Sequence, residues 1–271
     1  MDDIRNRSDV AARQRLISGG EPRAPTLAPV LTTVVVLPEP PLLVQALAGR
    51  AADETADLRA ACIAAATRLA DVAPEWVAVG ADAGGRRTVG PEARGSFVGF
   101  GVDLVVGLDT AGSSAPVDPR LALPLLVAGW AAAATGARVR IRGELVAPLA
   151  SPADCAALGG ALAAELAGDP TPTGLLVLGD GAATHTERAP GHFDPRAAEF
   201  DARVVAALRD ADSAALAGLD PGLAAELWVA GRAPWQVLAA ATAGSSWCGE
   251  LLHSSIPFGV AYHVAVWTPA P

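Results

Sequence analysis

The sequence contains no lysine; all twenty basic residues are arginines. That excludes Schiff-base catalysis and the lysine of a phosphate-binding P-loop. The abundance of Ala, Gly, Arg and Pro points to GC-rich codons as the origin of the bias. Cysteine is scarce: Cys62, Cys155 and Cys248 stand far apart, with no CxxC pair and no zinc-knuckle spacing. Free thiols in a reducing cytoplasm are the expectation. The four histidines are too few and too scattered to build a zinc or iron site unaided. No Gly-x-Ser-x-Gly elbow is present. No apolar run reaches membrane-spanning length and the start lacks a signal-peptide core, so no membrane association is expected. Charged residues make up only 18% and the net charge is −9, which argues against nucleic acid as a partner.

What is present is a long apolar chain of 271 residues, 51% hydrophobic, enough for a substantial core. Residues 1–30 are polar, Arg-rich and Pro-dotted, and read as a flexible tail with a short helix at most over 9–17. Residues 31–271 read as one α/β domain. Strands are predicted at 33–37, 76–80, 102–108, 138–142 and 174–178, with two more closing the chain at 246–253 and 259–268. Helices are predicted at 53–70, 121–135, 151–167, 195–208, 221–230 and 234–243, and a Gly/Arg-rich loop over 82–95. Several strands are apolar on both faces, which requires cover on both sides. The pattern predicts a three-layer α/β/α fold with a mixed central sheet, mixed because the last two strands follow each other directly.

The segment Gly174–Glu187, GLLVLGDGAATHTE, carries most of the chemical information. A strand ends in Gly179-Asp180-Gly181, which permits a tight turn. His185 then falls off the end of the strand, where open α/β sheets place ligands. An imidazole there suits general acid/base work; the alternative is an exposed loop histidine. Glu39, in Pro38-Glu39-Pro40-Pro41 after the first strand, reads either as a metal ligand or base or as a solvated turn residue. Asp82, in the glycine loop after the second strand, reads either as its partner or as a turn former. Arg86, Arg87, Arg94 and Arg232 are candidate contacts for an acidic ligand or plain surface arginines. His192 reads as structural, and His253 and His263 suggest no pairing.

The order of these motifs resembles a family. PEPPLLV follows the first strand, then WVAVGAD, then LLVLGDGAATHTE, then Phe200-Asp201-x-Arg203, and finally Ala230-Gly231-Arg232-Ala233-Pro234-Trp235. Over about residues 33–268 the chain resembles the B-subunit-like domain of class III extradiol ring-cleavage dioxygenases, a superfamily shared with the Memo proteins, and within it an Ala-rich actinobacterial branch. The resemblance implies a non-haem Fe(II) oxidoreductase acting on small aromatic molecules, and a homo-oligomer. It assigns the acid/base histidine to His185. It also implies that the usual histidine ligands are replaced, with Glu39, Asp82 and Glu226 as the metal candidates. An all-oxygen set of that kind suits Mg²⁺, Ca²⁺ or Mn²⁺ better than Fe(II). Three functions stay open: a ring-cleavage enzyme with an altered site, an inactive homologue that binds or assembles, and a divalent-metal hydrolase.

Overall fold

The computed structural model describes residues 31–271. The predicted tail lies outside the described residues. A seven-stranded mixed sheet forms the middle layer. Its strands are β1 (Leu31–Leu37), β2 (Glu75–Ala81), β3 (Arg87–Val89), β7 (Arg140–Val146), β8 (Thr173–Leu178), β9 (Trp247–Ser255) and β10 (Tyr262–Pro269). Their order is β3-β7-β2-β8-β1-β10-β9. The central four, β7-β2-β8-β1, are parallel, and β3, β10 and β9 join antiparallel. A small second sheet is built from β4 (Arg94–Ser96), β5 (Val105–Gly107) and β6 (Val117–Asp118), in the order β5-β4-β6.

The helices are α1 (Gln45–Ala48), α2 (Ala56–Ala70), α3 (Leu123–Thr135), α4 (Pro152–Gly168), α5 (Arg196–Asp210), α6 (Ser213–Ala217), α7 (Pro221–Glu226) and α8 (Arg232–Ala241). They cover both faces, as the doubly apolar strands require. The period-2 side-chain rule is visible in β1. Val35 and Leu37 join Cys62, Leu69 and Leu125 in one apolar layer, while Val34 and Val36 join Leu162, Phe200 and Trp235 in the other. The fold class is therefore as predicted, including the antiparallel pairing of the last two strands.

Local departures have physical reasons. The strand predicted at 102–108 shortens to β5 and belongs to the small sheet. Its cover is α3, whose Gly129 lets the helix lie against the Gly107 carbonyl; a Cβ there would sit 2.9 Å from that oxygen. The predicted loop 82–95 contains β3, recruited as an edge by β7. The helix predicted over 221–230 stops at Glu226, because Trp228 takes a positive φ of 56°. Arg232 is not a surface arginine. Its guanidinium is buried and donates to the carbonyls of Pro148 and Ala150 and to Gln236 Oε1. It pins the β7–α4 loop to α8. Arg87 is likewise paired with Asp82, and Arg94 donates to the Ala115 carbonyl.

Candidate functional site

The parallel strands end at one edge, and the chain after β8 is bound there by main-chain hydrogen bonds to three other segments. The Gly179 N–H donates to the Leu37 carbonyl and the Gly181 N–H to Ala261. Gly231 donates to the Asp180 carbonyl, Ala183 to Leu227, and His185 to Gly259. Both glycines of the Gly179-Asp180-Gly181 turn are required by close approach rather than by dihedral angle. A Cβ on Gly179 would run into the Gly231 backbone. A Cβ on Gly181 would lie 2.6 Å from Asp201 Oδ1 and 3.1 Å from His263 Nε2. Gly181→Ala is expected to lose about 1–3 kcal/mol of stability by overpacking this spot, measurable by urea unfolding.

Those two neighbours of Gly181 define the site. His185 Nε2 lies 2.6 Å from Asp201 Oδ2 on α5, with both side chains buried to 7% and 5% exposure. Asp201 Oδ1 lies 3.5 Å from Nε2 of His263 on β10. The Ala182 N–H donates to the same carboxylate, at 3.1 Å to Oδ2. Nδ1 of His263 is 3.0 Å from Ser254 Oγ on β9. A carboxylate only accepts hydrogen bonds, so His185 carries its proton on Nε2 and leaves Nδ1 as the basic nitrogen.

A second group lies at the end of β1. Glu39 is 7% exposed, and its Oε2 has no hydrogen-bond partner. Its N–H donates to Asp180 Oδ1 at 2.8 Å. Burial first, then the charges of Asp180 and Asp82, pushes the Glu39 carboxyl well above the usual range. Burial pushes Asp180 up to about 7, against the pull of the Glu39 N–H. Beneath them burial and the charge of Asp180 also raise the Cys62 thiol and the Tyr262 phenol.

The rim around this edge is apolar and strained. Phe193, Trp228 and Phe258 are among its exposed large side chains. Trp228 packs on Gly191, and Phe258 precedes the glycine that accepts from the His185 N–H. Of the four non-glycine residues with positive φ among the described residues, three are here: His192, Trp228 and Phe258. Strain of this kind persists only where the surroundings hold it, and it clusters at ligand sites. On the side of Trp228 toward Leu149, Val229 and Ala230 lies a cleft of about 190 Å³ that neither His185 nor Glu39 lines.

The predicted residues divide accordingly. His185 is at the strand edge as expected, but buried and bonded rather than loose. Glu39 reaches the same edge. Asp82 comes close enough to act on it electrostatically, yet its Oδ2 accepts from Arg87 and from the Gly84 N–H. Glu226 does not join them. It sits on α7 at 60% exposure and pairs with Arg196 at 2.8 Å. Among the described residues no three His, Cys, Asp or Glu side chains come together in a set that could hold a metal ion. The Glu39–Asp82–Glu226 set is thus not assembled, because the end of α7 turns its carboxylate outward. The ring-cleavage iron does not fit these residues either: Nε2 of both inward imidazoles is engaged by Asp201.

Asp201 and His263 belong to this cluster and were not among the residues predicted from the sequence. The signal for Asp201 was present. It lies on the apolar stripe Ala197, Asp201, Val204, Leu208 of an amphipathic helix, a position where a carboxylate must find a partner. His263 gave no such signal, since its strand is buried on both faces.

No family model matches the chain, and no curated protein matches it. Among solved structures, the chain is similar to an uncharacterized protein, JW3007, from Escherichia coli K12. The two share 14% identity and superpose with a TM-score of 0.50 over 88% of this chain and 99% of that one. At that identity the likeness shows the fold alone, a mixed α/β architecture. Among the described residues no helix is long and apolar enough to cross a membrane.

Proposed function

We propose that the chain binds a small aromatic molecule with an acidic hydroxyl at this rim and handles its proton through His185. Its motif order resembles the extradiol ring-cleavage family, with Glu39 and Asp82 standing where that resemblance expects the iron-gripping histidines. The observation that carries the reading is the 2.6 Å contact between His185 Nε2 and Asp201 Oδ2. A buried carboxylate orients the ring, fixes its tautomer and stabilises the imidazolium formed when Nδ1 accepts a proton. The exposed rings of Phe193, Trp228 and Phe258 suit an aromatic ligand.

The test is a thermal-unfolding screen against catechols, hydroxybenzoates and unsubstituted benzoates, with and without added Fe(II). A binder at about 100-fold its Kd adds about 2.7 kcal/mol of stability. The expected result is a rise in Tm of several degrees with hydroxylated rings, lost in His185→Gln. A flat response across the panel would overturn the reading. Oxygen uptake with Fe(II) and a catechol would replace it with ring cleavage. Binding without turnover would mark the inactive-homologue form of the same function.

A further inference from the structure

The hydrogen-bonded line does not end at the His185–Asp201 pair. It continues inward through His263 and reaches the surface again at Ser254, which is exposed on the edge strand β9. Four side chains from four separate segments, Ser254, His263, Asp201 and His185, are thereby aligned across the end of the sheet.

Proton placement along this line is determined at each joint. Asp201 accepts from His185, from the Ala182 N–H and from His263, so both imidazoles carry hydrogen on Nε2. Nδ1 of His263 is then bare, and the Ser254 hydroxyl donates to it. Each carboxylate oxygen has an imidazole donor, and every ring nitrogen except His185 Nδ1 has a partner within the line. His263 is 2% exposed and wedged beside Trp235, with ring centroids 6.4 Å apart. It cannot rotate to offer Asp201 a different atom without leaving its Nδ1 or Nε2 unpaired in a buried setting, which is costly.

We propose that His263 and Ser254 are positioning residues that act on His185 through Asp201. Ser254 holds His263 in its Nε2–H form; His263 then occupies Oδ1 and leaves Oδ2 in one fixed orientation for His185. The inference rests on the reading of His185 as the proton-handling residue, but it concerns the ring's tautomer and needs no ligand. The other charged or titratable groups facing His263 are few. His253 on β9 is near enough to interact with it, and Asp57 on α2 faces His253 in turn. His253 donates to or accepts from Ser255 Oγ at 2.8 Å and takes no part in the line.

The experiment is ¹⁵N–¹H NMR of the ring nitrogens in the full chain at neutral pH. In the wild type, His185 and His263 are each expected as a single Nε2–H tautomer. His263→Phe removes the donor to Oδ1, and the minor tautomer of His185 is expected to rise at least tenfold. His263→Gln, whose amide N–H can reach the same oxygen, is expected to restore the single form. Ser254→Ala is the mild variant: an exposed hydroxyl is lost, the fold stays, and His263 is expected to become a mixture of tautomers. A wild-type His185 with its proton on Nδ1 would overturn the proposal. So would an unchanged His263 tautomer in Ser254→Ala, or an unchanged His185 tautomer in a folded His263→Phe. A failed ligand screen alongside the expected tautomers would sink only the proposed function.

Discussion

Asp201→Ala is expected to cost about 3–5 kcal/mol of folding stability, the range for removing one partner of a buried charged network. The carboxylate is 5% exposed and accepts from His185, His263 and the Ala182 N–H. Truncation leaves all three donors in a dry environment with nothing to receive them. For a protein of this size each kcal/mol lowers Tm by about 2–4 °C, so the drop is of order 10 °C. Asp201→Asn separates charge from shape. Its amide keeps one acceptor oxygen but turns an NH₂ toward a donor, and about 1–3 kcal/mol is expected. Urea unfolding monitored by tryptophan fluorescence distinguishes the two, with Trp235 beside His263 as a local reporter. Equal stability of wild type and Asp201→Ala would mean that the network contributes nothing.

The sheet was legible in the sequence because burial on both faces leaves a direct trace. Val34-Val35-Val36 and Leu175-Leu176-Val177 have no polar alternation to confuse with a helix or a surface strand. Of the small sheet only β5 was legible, inside the strand predicted at 102–108, since strands of two or three residues carry no readable period. The placement of His185 at the strand edge was legible too, in the glycine turn that follows β8. The membership of the cluster around it was not. Glu226 entered only through the family resemblance, as the carboxylate nearest the expected third ligand; in the structure its helix ends there, ahead of the positive φ at Trp228, and its side chain is exposed. Asp201 sits sixteen residues from His185 and His263 sixty-two from Asp201. Contacts over such separations are products of topology, and no local pattern encodes them.

The carboxyls at the end of β1 and β8 make the second large prediction, a stability that falls as pH rises through neutrality. Asp180 is pushed up to about 7 by burial, from an ordinary value of 3.8. The folded chain therefore holds this proton more tightly than the unfolded chain does. The favourable contribution is complete below about pH 4, where both states are protonated, and is lost as pH passes the folded value. Glu39 acts in the same direction, raised by its own burial and by the charges of Asp180 and Asp82. The rise of Asp180 from 3.8 to about 7 corresponds to at most about 4 kcal/mol. Asp180→Asn cannot ionise, yet its amide oxygen still accepts from the Glu39 N–H. The stability of this variant relative to wild type is expected to be near zero at pH 4. It should grow by several kcal/mol in the variant's favour by pH 8. Glu39 does not cancel in this comparison: without the Asp180 charge its carboxyl is raised less in the variant, which adds to the difference in the same direction. A difference that stays constant from pH 4 to pH 8, measured by urea unfolding, would mean that Asp180 ionises as an exposed carboxyl does. The wall of the site would then carry a full negative charge at neutral pH. With its folded value at about 7, Asp180 instead keeps its proton in a large share of molecules at neutral pH, which under the proposed function weakens its repulsion of an aromatic oxyanion at this edge.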